Sequence, residues 1–177
     1  MAAILRAEHA WTEKDISAKA ALDTKLRADP SDKGSLIALA MMMIGKGQLE
    51  QAEEQLKRAM IGDVRTREDA PQVLRKMGNA CIALWRARNL PGGGGDESTA
   101  GSWQLINLSI ARKQHVEDAI SLFDQALAFP ENSASPAALY DSAVAKEHQG
   151  DLAAALEGLS QIIGRFPLFE VCDDMYG

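Results

Sequence analysis

The most informative stretch is GKGQLEQAEEQLKRAM, residues 45–60, because its spacing recurs in HQGDLAAALEGLSQII, residues 148–163. In both stretches a glycine is followed by a leucine two residues later, an alanine five residues later and a leucine nine residues later. Repeated helical spacing after a glycine turn predicts two helical hairpins of the same design. A hairpin of this size cannot bury its apolar face alone, so the sequence predicts a stack of such hairpins.

The composition favours helices and argues against several other classes of protein. The chain has 177 residues, of which 46% are hydrophobic and 25% charged, as expected for one domain with a buried core rather than a disordered chain. Aromatic residues make up only 5%, and alanine, leucine, glutamate and lysine dominate, which predicts an all-α fold. The chain has no run of about 18 apolar residues and no recognisable secretory signal. We therefore expect an intracellular, cytoplasmic protein with no membrane span.

Glycine and proline clusters divide the chain into short helical segments. The predicted helices cover residues 3–10, 13–28, 34–45, 48–61, 68–89, 103–113, 116–129, 136–148 and 151–165. Thr12 is the predicted N-cap of the second of these helices.

Residues 103–130 carry the spacing of a known repeat. The first-helix positions are occupied by Trp103, Ile106, Asn107 and Ile110, and the second-helix positions by Ala119, Phe123 and Ala126, with Pro130 closing the unit. This pattern resembles the tetratricopeptide repeat (TPR) family, whose units also have small residues where paired helices approach each other. Further units of this kind begin at residues 33 and 136. Asn107 and Gln114 depart from the family pattern, which prefers a small residue and a turn glycine at those positions.

The resemblance implies a TPR-like α-solenoid, a superhelical stack of antiparallel helix pairs. The implied divisions are a truncated N-terminal repeat (1–32), a TPR-like repeat (33–66), a half repeat or divergent helix (67–89), a glycine-rich flexible linker (90–102), two TPR-like repeats (103–135 and 136–167) and a C-terminal tail (168–177). Two interpretations of the middle stay open. Either residues 67–89 are a half repeat before a linker, which we favour, or residues 90–115 are an insertion that separates one first helix from its partner at 116–129.

In the family, a peptide commonly lies in a concave groove lined by the first helices. The matching positions in this chain are Ile37, Met41, Arg75, Asn79, Gln104, Leu108, Tyr140 and Val144. The resemblance implies that Arg75 and Asn79 hold a peptide carboxylate, whereas the remaining positions are mostly apolar and suit an amphipathic helix or extended peptide. The alternative is that these side chains are interior packing.

The function expected from this pattern is a non-catalytic protein-binding adaptor or scaffold. Alternatives are a structural subunit or assembly factor of a larger complex and, least favoured, a regulatory domain of an enzyme. PGGGG at residues 91–95 lacks the lysine of a phosphate-binding loop, and the histidines lack metal-ligand spacing, so we expect no catalytic residue, cofactor or metal. His9, His115 and His148 are expected at the surface or in turns, and Cys81 in the core.

The expected partner is another protein rather than a nucleic acid. The net charge is −6, and the one basic region, residues 65–88, is small and poor in aromatic residues. A second expectation concerns the last hairpin of the predicted stack. The last hairpin needs a cover for its outer face, supplied either by the 168–177 tail or by another chain, so homo-oligomerisation through this hairpin stays open.

Overall fold

The computed structural model describes residues 11–62, 70–89, 102–129 and 135–167; for residues 102–112 only the backbone is described. Within these ranges the chain is all-helical, which confirms the predicted all-α class. The helices are α1 (Glu13–Ala28), α2 (Lys33–Gly45), α3 (Leu49–Met60), α4 (Ala70–Asn89), α5 (Ser102–Leu127), α6 (Pro136–Gln149) and α7 (Leu152–Arg165). The predicted helix at 3–10, the linker up to residue 101 and the tail at 168–177 lie outside the described residues.

Polar caps and glycine turns define where the helices begin and end. The Thr12 hydroxyl accepts a hydrogen bond from the backbone N–H of Asp15, and the Asp15 carboxylate accepts one from the Thr12 N–H, so the predicted cap of α1 is confirmed. Gly47 has φ 72° and Gly150 has φ 92°, in the left-handed region that favours glycine. These two glycines form the tight turns that join α2 to α3 and α6 to α7.

The helices pack in the order of the chain. Three helix pairs have extensive contacts, namely α2 with α3, α4 with α5, and α6 with α7. Helix α4 also contacts both helices of the preceding pair, and α6 contacts both helices of the pair before it. At the other end α1 packs on α2. Each pair therefore lies against its neighbour in sequence.

Small residues allow the close helix contacts that the sequence predicted. Ala40, Ala52, Ala59, Ala119 and Ala126 are all fully buried, and Leu56 and Phe123 fill the space beside them. Helix axes approach to about 8 to 10 Å where the contacting side chains are small. The predicted packing role of these residues is confirmed.

The structure corrects the expected division of the middle of the chain. Ser102–Leu127 is one continuous helix, so the predicted turn at Gln114 is absent. No glycine or proline interrupts residues 102–127, and the Gln114 side chain donates a hydrogen bond to Asp118 Oδ1 at 2.9 Å along the helix surface. Helix α4 packs along α5.

Candidate binding surface

Five of the predicted binding residues lie on three helices that contact one another in the order α2, α4, α6. Met41 lies on α2, Arg75 and Asn79 lie on α4, and Tyr140 and Val144 lie on α6. Met41 is 44% exposed, and the other four residues are half-buried. We call these five residues the first-helix surface.

Of the other three predicted residues, one is buried and two have side chains outside the described part of the chain. Ile37 is 5% exposed and lies in the hydrophobic core, so its side chain contributes to packing rather than to a partner contact. Gln104 and Leu108 lie on α5, which is the second helix of its pair, and their side chains are outside the described part of the chain. They lie on the same continuous helix as residues 116–127 rather than on a separate helix.

A buried carboxylate on α6 binds two of the predicted residues. Asp141 of α6 is 2% exposed and forms an ion pair with Arg75 Nε. Asn79 Nδ2 donates a second hydrogen bond to Asp141 Oδ2, at 3.4 Å. The implied role of Arg75 and Asn79 as a clamp for a peptide carboxylate is thus already served by a carboxylate of the same chain.

The sequence interpretation missed Asp141, although a signal was present. Aspartate is unfavourable inside a helix, and Asp141 is the only charged residue in PAALYDSAVA, residues 136–145. A buried charge requires a partner, and Arg75 supplies it. A charged residue among small apolar ones in a helix was therefore the signal for a contact between α6 and a neighbouring helix.

A second polar cluster joins α3, α4 and α5. Arg88 is 8% exposed; its Nη2 forms an ion pair with Glu53, and its Nη1 lies 3.4 Å from Nε2 of His115. His115 is 6% exposed, so the expectation of a surface or turn residue is wrong for this histidine. Burial is the main cause that lowers the pKa of His115, and Arg88 adds to it while Glu53 opposes it. Arginine has only donors, so His115 Nε2 accepts the hydrogen bond as a neutral imidazole.

A third cluster lies between the C-terminal parts of α4 and α6. The rings of Trp85 and His148 have their centroids 4.4 Å apart, and Arg86 Nη2 lies 3.3 Å from His148 Nε2. Burial lowers the pKa of His148, and the charge of Arg86 lowers it further. This histidine is half-buried and serves as a packing contact between two helices.

The described residues contain no cluster of metal-binding side chains, and their cysteine, Cys81, is buried. Within the ranges that the structure describes, no group of three or more His, Cys, Asp or Glu side chains could hold a metal ion. Burial raises the pKa of the Cys81 thiol to about 12, so the reactive thiolate is not formed near neutral pH. Cys81 is 1% exposed, which confirms its predicted place in the core.

A shallow groove of about 530 Å³ lies elsewhere, along the outer side of α5. Ile120 and Ala128 contribute its apolar part, and Asp124 and Gln149 are among its polar lining residues. None of the predicted binding residues lines this groove.

Comparison with known proteins found no matching family model, no matching curated protein and no matching solved structure. In the part of the chain that the structure describes, none of the helices is both long enough and apolar enough to cross a membrane.

Proposed function

We propose that this chain is a TPR-like α-solenoid that acts as a non-catalytic adaptor or scaffold and binds another protein at its first-helix surface. The order of helix contacts supports the proposal, because each hairpin lies against its neighbour in sequence, as in a stack of repeats. The small and large residues at the helix contacts, which resemble those of the family pattern, also support the proposal. In particular, Phe123 of α5, which occupies a second-helix position of the repeat pattern, lies against Gly78 of α4.

The chemistry of the surface indicates the kind of partner. Met41 on α2 and Tyr140 and Val144 on α6 add apolar groups to the two helices that contact α4, the helix that carries Arg75. Methionine is flexible and polarisable, so it adapts to irregular apolar shapes such as one face of an amphipathic helix. A partner carboxylate would have to compete with Asp141 for Arg75. The surface therefore favours an amphipathic helix or an extended peptide that presents apolar side chains.

The observation that carries this proposal is the exposure of Met41. It is 44% exposed, although its neighbours on α2 at Leu39, Ala40 and Met43 are all in the core. The Met41 side chain therefore adds little to packing within the chain. Its removal should affect a partner far more than the fold.

The test is the substitution Met41→Glu, because a carboxylate at this position would be desolvated by an apolar partner. We expect the variant to keep its helix content and melting temperature and to lose partner proteins in affinity purification with quantitative mass spectrometry. Ile16→Glu is the matched control, since Ile16 is 56% exposed and lies on α1, which carries none of the five residues of the first-helix surface. A large loss of stability in Met41→Glu, or equal partner loss in both variants, would contradict the proposal. Partners recovered at a fixed stoichiometry would instead indicate a structural subunit of a complex.

A further inference from the structure

Helix α7 carries a stripe of exposed apolar side chains. Leu152 is 61% exposed, Leu156 65% and Ile163 73%. At 3.6 residues per turn, these three positions fall within about 40° of one another around the helix. The side that packs against α6 is a different one: Ala155 and Ile162 are buried there, and a Cβ on Gly158 would lie 3.2 Å from Ala143 Cβ.

The other end of the stack differs in this respect. Helix α1 packs on α2 and has only one large exposed apolar residue, Ile16, on a surface otherwise rich in lysine, aspartate and glutamate. The outer face of α1 is therefore mostly polar. Helix α7 leaves an apolar stripe at the opposite end, which a stacked array normally covers.

We propose that residues 168–177, LFEVCDDMYG, fold back and cover the stripe on α7. Six of these ten residues are apolar or weakly polar (Leu168, Phe169, Val171, Cys172, Met175 and Tyr176), interleaved with three acidic ones. The amphipathic pattern provides one face for the stripe and one for water. The proposal concerns the outer face of α7 and is independent of partner binding at the first-helix surface.

The geometry of the chain allows this return. The 14 residues of α7 span about 21 Å, whereas ten extended residues span up to about 33 Å, so the segment can run back along the whole stripe. The chain already leaves the helical path at Phe166, which has φ −133° and ψ 63°. Pro167 then prevents a simple continuation of α7, because proline lacks the N–H that the helix requires.

A second copy of the chain is less favoured than the 168–177 segment as a cover for the stripe on α7. A stripe one helix wide, about 10 Å, and about 21 Å long offers roughly 200 Å² on each side, whereas stable interfaces between separate chains bury about 1,200 Å² or more in total. The 168–177 segment is joined to α7 through Phe166 and Pro167. Such a short connection gives an effective concentration in the millimolar range, so a small contact area suffices.

The test is a comparison of Leu156→Ser in the full chain and in a chain that ends at residue 167. If the segment covers Leu156, we expect the substitution to lower the ratio of folded to unfolded protein roughly tenfold in the full chain. In the shortened chain the substitution should have little effect, because Leu156 is already exposed there. The shortened chain should also bind more of a fluorescent dye specific for apolar surfaces.

A second pair of variants keeps the test valid if the shortened chain does not fold. Phe169→Ser in the full chain should reproduce the loss, should be non-additive with Leu156→Ser, and should leave sedimentation unchanged; Asp173→Ser is the matched control and should have little effect. A negligible effect of Leu156→Ser in the full chain would overturn the proposal. So would a loss that depends on protein concentration together with a dimer in sedimentation, since a second copy would then cover the stripe.

Discussion

The closest approach between α4 and α5 depends on one glycine. A Cβ added to Gly78 would lie 2.5 Å from Cε1 of Phe123, and the Phe123 ring is 1% exposed and fixed by its surroundings. Phe123 occupies a second-helix position of the repeat pattern, and Gly78 lies in the stretch interpreted as a half repeat, residues 67–89. What the pattern did not predict is that they contact each other, because it placed them in different repeats.

We expect Gly78→Ala to destabilise the protein by up to about 2 kcal/mol, measured by chemical denaturation. Alanine gains up to about 1 kcal/mol in helix propensity, but displacing a fixed aromatic ring costs about 1 to 3 kcal/mol and at a 2.5 Å approach outweighs that gain. Gly45→Ala is the control, because no atom lies within 4 Å of its added Cβ, and the change should leave stability equal or slightly higher. Equal midpoints for the two variants would contradict this account of the contact.

Helix α5 shows what could be predicted from the sequence and what could not. The existence and limits of α1, α2, α3, α6 and α7 follow from caps, turns and apolar spacing, all of which are local signals. The continuity of α5 does not follow from spacing, since an apolar pattern of period 3.6 looks the same on one long helix and on two short ones. The family pattern suggested a turn at Gln114, but glutamine is a good helix former and nothing nearby stops the helix.

The ion pair between α4 and α6 could not be predicted from local sequence signals either, because Arg75 and Asp141 are 66 residues apart in sequence. The Asp141 side chain is 1% exposed, and that of Arg75 is 27% exposed. The pair therefore acts as a polar link between two helices of adjacent hairpins. Arg75 and Asn79 were expected to bind a carboxylate of a partner. Their contacts with Asp141 instead join α4 to α6.

We expect Asp141→Ala to destabilise the protein by about 1 to 3 kcal/mol, because Arg75 and Asn79 lose a buried acceptor. The matched control is Asp124→Ala, since Asp124 is 56% exposed and lies 3.9 Å from Lys146, a geometry that contributes at most about 1 kcal/mol. Both free energies come from denaturant unfolding. An Asp141 variant no less stable than the Asp124 variant would show that the link contributes nothing.

In the molecule as a whole, polar clusters connect hairpins that also pack against each other through apolar side chains. Glu53, Arg88 and His115 link α3, α4 and α5, while Trp85, Arg86 and His148 link α4 and α6. Burial raises the pKa of Glu53, but the neighbouring basic groups, led by the hydrogen bond from Lys57 and the charge of Arg88, together lower it by more, so this carboxylate stays ionised at neutral pH. Both histidines accept from an arginine, which requires the neutral imidazole.

Both histidines are neutral in the folded protein, and this protonation state predicts how the stability of the whole protein depends on pH. The pKa of His115 and that of His148 are lowered from the ordinary 6.5, mainly by burial, so the unfolded chain binds their protons more readily than the folded one. Their contribution to stability is therefore complete above about pH 6.5 and is lost as the pH falls from there through the lowered folded values.

We expect the melting temperature to be lower at pH 5.5 than at pH 7.5, and His115→Gln to reduce that difference because glutamine does not titrate. His148→Gln should reduce it further, since the two clusters lie in separate contacts of one cooperative stack. The comparison is made within each variant between the two pH values, so a general loss of stability on substitution does not affect it. A pH difference equal in the wild type and the double variant would assign the dependence to other groups.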